Sequence, residues 1–318
     1  MSFASLPIID LQQDESTIIQ SIFDACSTTG FFYLRHHNLL EKQQQMFALA
    51  KEYFNLSVEV KEKHSIGKNN QGYVHRGQEN LDSTNKKLFD DKEAFNIGKF
   101  LWSDLPDLFM EPKNLKLIQE FQRDCHNLQM KLLTYLAKSF SIAPDYFTSR
   151  HQWELESGET LRLLHYPPVQ CHTDESIRAG AHSDYGSLTL LFQHDGKSGL
   201  EVLDRSTNIW HPVQPFEDMI VVNFGDAFEY WSNGFIKSTV HRVVAPILDL
   251  NKNSERYSIA FFGHPNHSTL LTPIPSPIVL NRKFDKDAHS KHALDDHDGT
   301  TLTAGEHLQV RLQKTYAY

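Results

Sequence analysis

The sequence predicts a mainly β fold with flanking helices. From residue 159 onward, short apolar runs rich in strand-forming residues alternate with Gly, Pro, Asn and Asp, which is typical of a sandwich or barrel. Before this region, and again near the end of the chain, apolar residues recur at helical spacing, and the longest such pattern covers residues 114–141. The strands predicted in the second half are residues 161–166, 188–192, 200–203, 220–224, 238–244 and 257–262.

The first half begins with a short predicted strand at residues 6–11 and a helix whose N-cap is Asp14. Gly30 ends this helix, and residues 31–35 predict a second strand, which leads into a second amphipathic helix. Near the other end of the chain, Thr303-Ala-Gly-Glu306 has the spacing of a capping box. We therefore expect a final helix that packs back onto the body of the protein.

Composition narrows the functional classes. The 318 residues are 40% hydrophobic and 22% charged, which is ordinary for a globular protein. The net charge of −9 opposes broad attraction to nucleic acid or to an anionic membrane. The sequence shows no apolar run long enough for a membrane span and no signal-peptide pattern, so we expect a cytoplasmic protein without nucleic-acid or membrane partners. Cys26, Cys125 and Cys171 lie far apart and predict no disulfide framework.

The strongest chemical signal is a His and an acid two residues apart. His182 and Asp184 precede the apolar run 188–192, and on a strand their spacing places both side chains on one face. Alone, such a pair also fits a solvated strand end. His241 lies in another predicted strand and can face the same interior, and two imidazoles with one carboxylate form a facial triad for ferrous iron that leaves open positions.

A second same-face pair, Arg256 and Ser258, lies on the last predicted strand and can bind a carboxylate. Each residue also has an ordinary structural interpretation, as a surface ion pair or a polar strand position. The order of the motifs along the chain favours the functional interpretation. In chain order the motifs are Leu161-Arg-Leu-Leu-His-Tyr-Pro-Pro168, His182-x-Asp184, Asn223-Phe-Gly-Asp226, His241 and Arg256-x-Ser258.

With these motifs the chain resembles the iron(II)- and 2-oxoglutarate-dependent dioxygenases, in particular the branch that looks like isopenicillin N synthase. The resemblance implies a double-stranded β-helix, or jelly roll, as the core. We expect an N-terminal region at residues 1–112, a helix and connection at 113–158, the catalytic jelly roll at 159–265, and a C-terminal loop and helix at 266–318.

The resemblance also implies the cofactors and the roles of the site residues. Fe(II) is held by His182, Asp184 and His241, and 2-oxoglutarate and O2 take the remaining positions. The far carboxylate of 2-oxoglutarate needs a permanently charged donor, and Arg256 with Ser258 supplies it. Tyr166 lies where relatives place a further phenol donor to the cosubstrate. At position 164, where relatives often carry Asn, this chain has Leu, so the third contact rests on Tyr166.

The implied activity is oxidation of a small organic molecule by hydroxylation, desaturation or ring closure, with release of succinate and CO2. Two alternatives share the fold: an Fe(II) oxidase that does not use 2-oxoglutarate, and a non-catalytic ligand-binding relative. A zinc hydrolase is also compatible with two His and one carboxylate, but it leaves Arg256 and Ser258 without a role. The sequence determines neither the substrate nor the oligomeric state.

Several other polar residues have a weaker signal. Residues 65–85 have no periodicity and predict a loop. The resemblance implies that Tyr73, His75 and Arg76 in this loop contact the substrate, although a solvated loop fits the sequence as well. The resemblance also predicts a strand near the mouth of the site at residues 92–98. Asn223 is a candidate for contact with one of the metal-ligand residues, and Asp226 is interpreted as a turn residue. Expected to have no metal role are His126, on a helix, and His289, His292 and His297, in a solvated polar tract.

Overall fold

The computed structural model describes residues 3–82, 90–100, 104–168, 177–194, 196–245, 255–283 and 301–315. The described residues form two sheets with helices around them, so the predicted mainly β fold with flanking helices and a jelly-roll core is confirmed. The strands are β1 Ile8–Asp10, β2 Phe31–Arg35, β3 Gly72–Val74, β4 Glu93–Gly98, β5 Thr160–Tyr166, β6 Ile177–His182, β7 Leu188–Gln193, β8 Leu200–Asp204, β9 Ile209–Pro212, β10 Met219–Phe224, β11 His241–Val244 and β12 Arg256–Phe262. The α-helices are α1 Glu15–Ser27, α2 Leu40–Phe54, α3 Val58–Glu62, α4 Asp107–Met110, α5 Pro112–Ser139, α6 Asp226–Trp231, α7 Pro277–Leu280 and α8 Ala304–Thr315.

Strands from both halves of the chain build the larger sheet. Its order is β1-β2-β10-β7-β12-β5-β4-β3, and the smaller sheet has the order β6-β11-β8-β9. The N-terminal strands thus extend both edges of the larger sheet, and β4 covers the side of β5 opposite β12. The strand predicted at residues 92–98 is confirmed as β4.

Five of the six strands predicted in the second half are present within one residue of the predicted bounds. The sixth, predicted from residue 238, begins only at His241. In the residues before His241, the Ser238 side chain donates to Asp226 and the Thr239 side chain donates to the carbonyl of Thr29. These side-chain hydrogen bonds take the place of backbone pairing between strands. Three strands, β3, β6 and β9, were not predicted. Strand β3 lies within residues 65–85, which were interpreted as a loop. Strand β6 was missed because it reads Ile-Arg-Ala-Gly-Ala-His and carries one β-branched residue.

Local chemistry explains the helices that frame the sheets. The side chain of Asp14 accepts a bond from the backbone N–H of Thr17, which caps α1. At α8, the backbone N–H of Thr303 donates to Glu306 and that of Glu306 donates to Thr303 Oγ1, so the predicted capping box is confirmed. The long helix α5 packs on the larger sheet, where Gln129 Nε2 donates to the carbonyl of Leu188 at 2.8 Å.

Two of the three cysteines lie within the described residues. Cys26 and Cys125 are buried free thiols, and Cys171 lies outside the described residues. Within the described ranges, none of the helices combines the length and apolar composition that a membrane span requires.

A close backbone contact fixes the loop between β6 and β7. A Cβ added at Gly186 would collide with the carbonyl oxygen of Gly263, and a Cβ at Gly225 would collide with the carbonyl of Gly186. Ser187 N donates to that same Gly263 carbonyl at 2.8 Å. Only residues without a side chain allow the loop, β12 and the start of α6 to approach this closely.

We expect Gly186→Ala to lower the free energy of unfolding by about 1–3 kcal/mol, because a backbone oxygen cannot move aside cheaply. Urea unfolding monitored by circular dichroism measures this. Gly67→Ala is the matched control, since its Cβ would meet only the side-chain oxygen of Asn69 at 3.2 Å. Equal stability of the two variants would contradict a tight backbone contact at this loop.

Candidate metal and cosubstrate site

A cavity of about 840 Å³ lies between the two sheets, and α8 forms part of its wall. Residues from both sheets line it, including the six site residues predicted from the sequence: Tyr166, His182, Asp184, His241, Arg256 and Ser258. Tyr73, His75 and Arg76 are not among the lining residues of the described chain. Tyr73 is buried and donates to Glu93 at 2.6 Å. The residues of segment 65–85 that line the cavity are Lys68, Asn69, Asn70, Gln71 and Leu81.

The two imidazoles and the carboxylate converge. One ligand atom from each of His182, Asp184 and His241 lies within 4.8 Å of the others. His182 and His241 are cross-strand partners on β6 and β11, and their ring centroids are 4.3 Å apart. His182 ends β6 and Asp184 lies in the loop that follows, so the two residues do not share one strand as their spacing had suggested.

Hydrogen bonds orient both imidazoles. His182 Nδ1 lies 2.7 Å from the carbonyl oxygen of Gly180, and His241 Nδ1 lies 3.2 Å from that of Thr239. A carbonyl oxygen only accepts, so each Nδ1 carries a proton, and Nε2 is the nitrogen that a neutral ring offers to a metal ion. A backbone carbonyl is one of the groups that commonly hold the second ring nitrogen of a metal-binding His.

The carboxylate of Asp184 is divided between two tasks. Its Oδ2 accepts bonds from Thr189 Oγ1 at 2.6 Å and from Asn223 Nδ2 at 2.7 Å. Its Oδ1 remains 3.7 Å from His241 Nε2, on the side of the imidazoles. Asn223, a candidate from the sequence, therefore contacts a ligand residue, and Thr189 is a contact that the sequence pattern did not indicate.

Electrostatics keep His182 and Asp184 in the protonation states that binding of a cation requires. Burial, reinforced by the neighbouring His241, lowers the pKa of His182 to about 3, so this imidazole is neutral at pH 7. Burial alone would raise the pKa of Asp184. The two imidazoles and the bonds from Asn223 and Thr189 outweigh it and hold that pKa below its usual range. Two imidazoles and one carboxylate fit a divalent metal ion such as Fe(II), with other coordination positions left for further ligands.

The second half of the predicted site is a buried cation. Arg256 is 7% exposed, and its Nε and Nη1 have no hydrogen-bond partner among the described residues. Ser258 faces the same cavity two residues further along β12, and the guanidinium lies 4.9 Å from the centre of the Tyr166 ring. A buried guanidinium with unmet donors is costly, so this group fits an anionic ligand with paired oxygens, such as a carboxylate. Leu164 also lines the cavity and offers no polar group.

A buried charge network joins the N-terminal strands to β6. Lys92 Nζ lies 2.9 Å from Glu79 and 2.5 Å from Asp90, and Arg162 binds the same Glu79 at 2.6 Å. Asp90 also accepts the backbone N–H of Gly180 at 2.8 Å. This network braces the strand that ends at His182, and no local sequence pattern indicates it because its members are distant along the chain.

Other histidines take no part in the triad. His126 Nδ1 lies 2.7 Å from Glu159, beside the buried Lys99, in a polar contact at the edge of the cavity. His289, His292 and His297 lie outside the described residues. Among the described residues, His182, Asp184 and His241 are the one group found with metal-ligand geometry.

Comparisons with known proteins agree with this geometry. Residues 157–265 match the family model of the 2OG-Fe(II) oxygenase superfamily, and residues 6–116 match that of the N-terminal region of the non-haem dioxygenases in morphine synthesis. The chain is 34% identical to a UPF0676 protein of Schizosaccharomyces pombe over 100% of this chain and 95% of that protein. It is 31% identical to the proline hydroxylase buaE of Petromyces alliaceus, over 95% of this chain and 94% of that protein.

Solved structures give the same result. A full-length Neurospora crassa protein, crystallised in complex with alpha-KG, superposes with a TM-score of 0.81 at 30% identity, covering 97% of this chain and 95% of that one. A 2OG-Fe(II) oxygenase family protein from Caulobacter crescentus superposes with a TM-score of 0.80 at 26% identity, covering 98% and 99% of the two chains.

We expect Thr189→Val to weaken divalent-metal binding by about 10–100-fold, because it frees one oxygen of Asp184 to rotate. Anaerobic Co(II) titration followed by visible absorbance measures the affinity. The control is Thr160→Val, which makes the same change at a cavity-lining threonine whose hydroxyl donates to Gly158. Equal affinity in the two variants would show that Thr189 does not orient the carboxylate.

Buried histidines make the free energy of unfolding depend on pH. Burial lowers the pKa of His37, His151 and His307 to about 4 and that of His264 to about 3. An unfolded His has a pKa of about 6.5, so between these values the unfolded chain binds more protons. The stability contributed by the neutral histidines is present above pH ~6.5 and is lost as pH falls toward 4, by about 1.4 kcal/mol per pH unit for each residue.

Urea unfolding of the metal-free protein between pH 7.5 and 4.5 measures this dependence. We expect His151→Gln to reduce the slope by about one proton. His75→Gln, at an exposed site, should leave the slope unchanged. A flat stability profile in the wild-type protein would contradict the neutral state of the buried imidazoles.

Proposed function

Because the chain belongs to the 2OG-Fe(II) oxygenase superfamily, we propose that His182, Asp184 and His241 bind its iron and that Arg256, Ser258 and Tyr166 bind its cosubstrate. The protein is an Fe(II)- and 2-oxoglutarate-dependent dioxygenase. What remains to be assigned is the work of individual residues and the class of substrate.

One observation carries the assignment of the iron ligands. Each of the three side chains is hydrogen-bonded through the atom that points away from the common centre, and offers the other atom to it. A structural polar cluster would use both atoms for internal bonds. Bound iron supplies the activation of O2 that is coupled to oxidative decarboxylation of 2-oxoglutarate to succinate and CO2. Three protein ligands leave the positions that this reaction needs.

Arg256 defines the cosubstrate end of the cavity. Its buried, partly unpaired guanidinium supports recognition of the far carboxylate of 2-oxoglutarate through two parallel hydrogen bonds. Ser258 adds a hydroxyl from the same face of β12, and Tyr166 is the cross-strand partner of Arg256 on β5. With Leu at position 164, the phenol of Tyr166 is the donor that we assign on β5.

The rest of the cavity suits a small polar organic substrate. A volume of about 840 Å³ exceeds what 2-oxoglutarate alone requires. Its lining combines polar Asn96 and Arg162 with aromatic Tyr185 and Phe262. Solved structures of the Neurospora relative hold thymine and 5-formyluracil, and another relative is named a proline hydroxylase. Small size and polarity are common to these compounds. A cytoplasmic location and the absence of nucleic-acid and membrane partners stay predictions.

Anaerobic binding of 2-oxoglutarate tests the proposal without knowledge of the substrate. We expect the Fe(II)-loaded wild type to develop the visible charge-transfer band of a chelated 2-oxo acid. Arg256→Lys should raise the 2-oxoglutarate concentration for half-saturation on the order of 10–100-fold, since one point contact replaces a paired one. Asp184→Ala should give no band.

Arg123→Lys is the matched control, because Arg123 is exposed on α5 outside the cavity lining. Unchanged 2-oxoglutarate affinity in Arg256→Lys would refute the cosubstrate assignment. With the wild type in hand, a screen of small metabolites for stimulated succinate release identifies the substrate class.

A further inference from the structure

Helix α8 forms a wall of the cavity on the side of the loop between β6 and β7. Leu308 and Leu312 line the cavity from this helix, together with Gly305 and Gln309. The helix rests on α6, where His307 is 1% exposed and its ring lies 5.9 Å from that of Tyr230. How α8 is held therefore affects the space in which the reaction takes place.

A buried ion pair holds this helix in place. Arg311 Nη2 lies 2.8 Å from Asp226 Oδ2, and the two side chains are 12% and 0% exposed. The same Nη2 is 3.3 Å from Ser183 Oγ, and the guanidinium lies 4.8 Å from the centre of the Tyr185 ring. Arg311 thus contacts α6 and the loop after β6 simultaneously. It is not a surface ion pair, because both charged groups are removed from water.

Asp226 is bonded to the chain beside each of the three proposed ligands. Its carboxylate accepts from Ser183 Oγ at 3.1 Å and from Ser238 Oγ at 2.6 Å, and its backbone N–H donates to the carbonyl of Asp184 at 2.7 Å. Ser183 lies between His182 and Asp184 in the sequence, and Ser238 lies three residues before His241. A shift of the Asp226 carboxylate would therefore move the backbone on both sides of the site.

We propose that Arg311 is a positioning residue that couples the seating of α8 over the cavity to the geometry of the three metal ligands. The inference rests on the iron site proposed above and goes beyond it, because Arg311 is not one of the three ligands. Arg311 neutralises Asp226, so the carboxylate stays buried in the position that holds Ser183 and Ser238. Without the guanidinium, a buried anion loses its counter-charge, and both α8 and the loop between β6 and β7 relax.

A role in helix docking alone would affect substrate access but not metal affinity. The two possibilities are separated by metal binding in the absence of any substrate, measured by anaerobic Co(II) titration of full-length protein. We expect Arg311→Met to raise the metal Kd about tenfold or more, and Arg311→Lys, which keeps the charge, to recover part of the loss. Gln313→Ala, at an exposed position of the same helix, should match the wild type.

Circular dichroism checks that each variant is folded before titration. Arg311→Met with the wild-type metal Kd would overturn the proposal. If that variant does not fold, Arg311→Gln, which removes the charge but keeps hydrogen-bond donors, decides the question, and an unchanged Kd in it overturns the proposal equally. A wild type that binds no metal would refute the iron site itself, together with this inference. If the wild type binds metal and Arg311→Met binds it equally tightly, the iron site stands and only the role of Arg311 is refuted.

Discussion

Each proposed metal ligand is held by the atom that it does not offer to the metal. Nδ1–H of His182 and of His241 each donates to a backbone carbonyl, and Thr189 and Asn223 donate to one oxygen of Asp184. The lone pairs of the other ligand atoms are therefore directed at the common centre. This constraint explains the position of β6, β7, β10 and β11, because each strand or its end supplies a ligand or the group that orients one.

Charge balance explains the surroundings of the site. Buried ionised groups occur in matched sets: Lys92 and Arg162 with Glu79 and Asp90, Lys99 with Glu159, and Arg311 with Asp226. Such pairing offsets the cost of desolvation and fixes loops that are distant along the chain. The guanidinium of Arg256 differs, since two of its nitrogens lack partners among the described residues. A binding site for an anion is the simplest reason for a protein to retain it.

Features that appear as local patterns could be predicted from the sequence. Caps and apolar spacing located α1, α5 and α8, and the same-face spacing of Arg256 and Ser258 placed both in the cavity. Strand β6 was missed because its composition is poor in β-formers, although it ends at His182. The link between Arg311 and Asp226 was also missed, since a contact between residues so far apart in sequence leaves no periodic signal. Asp226, interpreted as a turn residue, accepts or donates several of the hydrogen bonds around the site.

The most direct test of the proposed site is an anaerobic crystal structure of the protein with Fe(II) and 2-oxoglutarate. We expect one metal ion about 2.0–2.3 Å from Nε2 of His182 and His241 and from Oδ1 of Asp184. We also expect the far carboxylate of 2-oxoglutarate to lie against the guanidinium of Arg256. A metal ion bound through other residues, or a cosubstrate whose far carboxylate lies away from Arg256, would contradict the assignment.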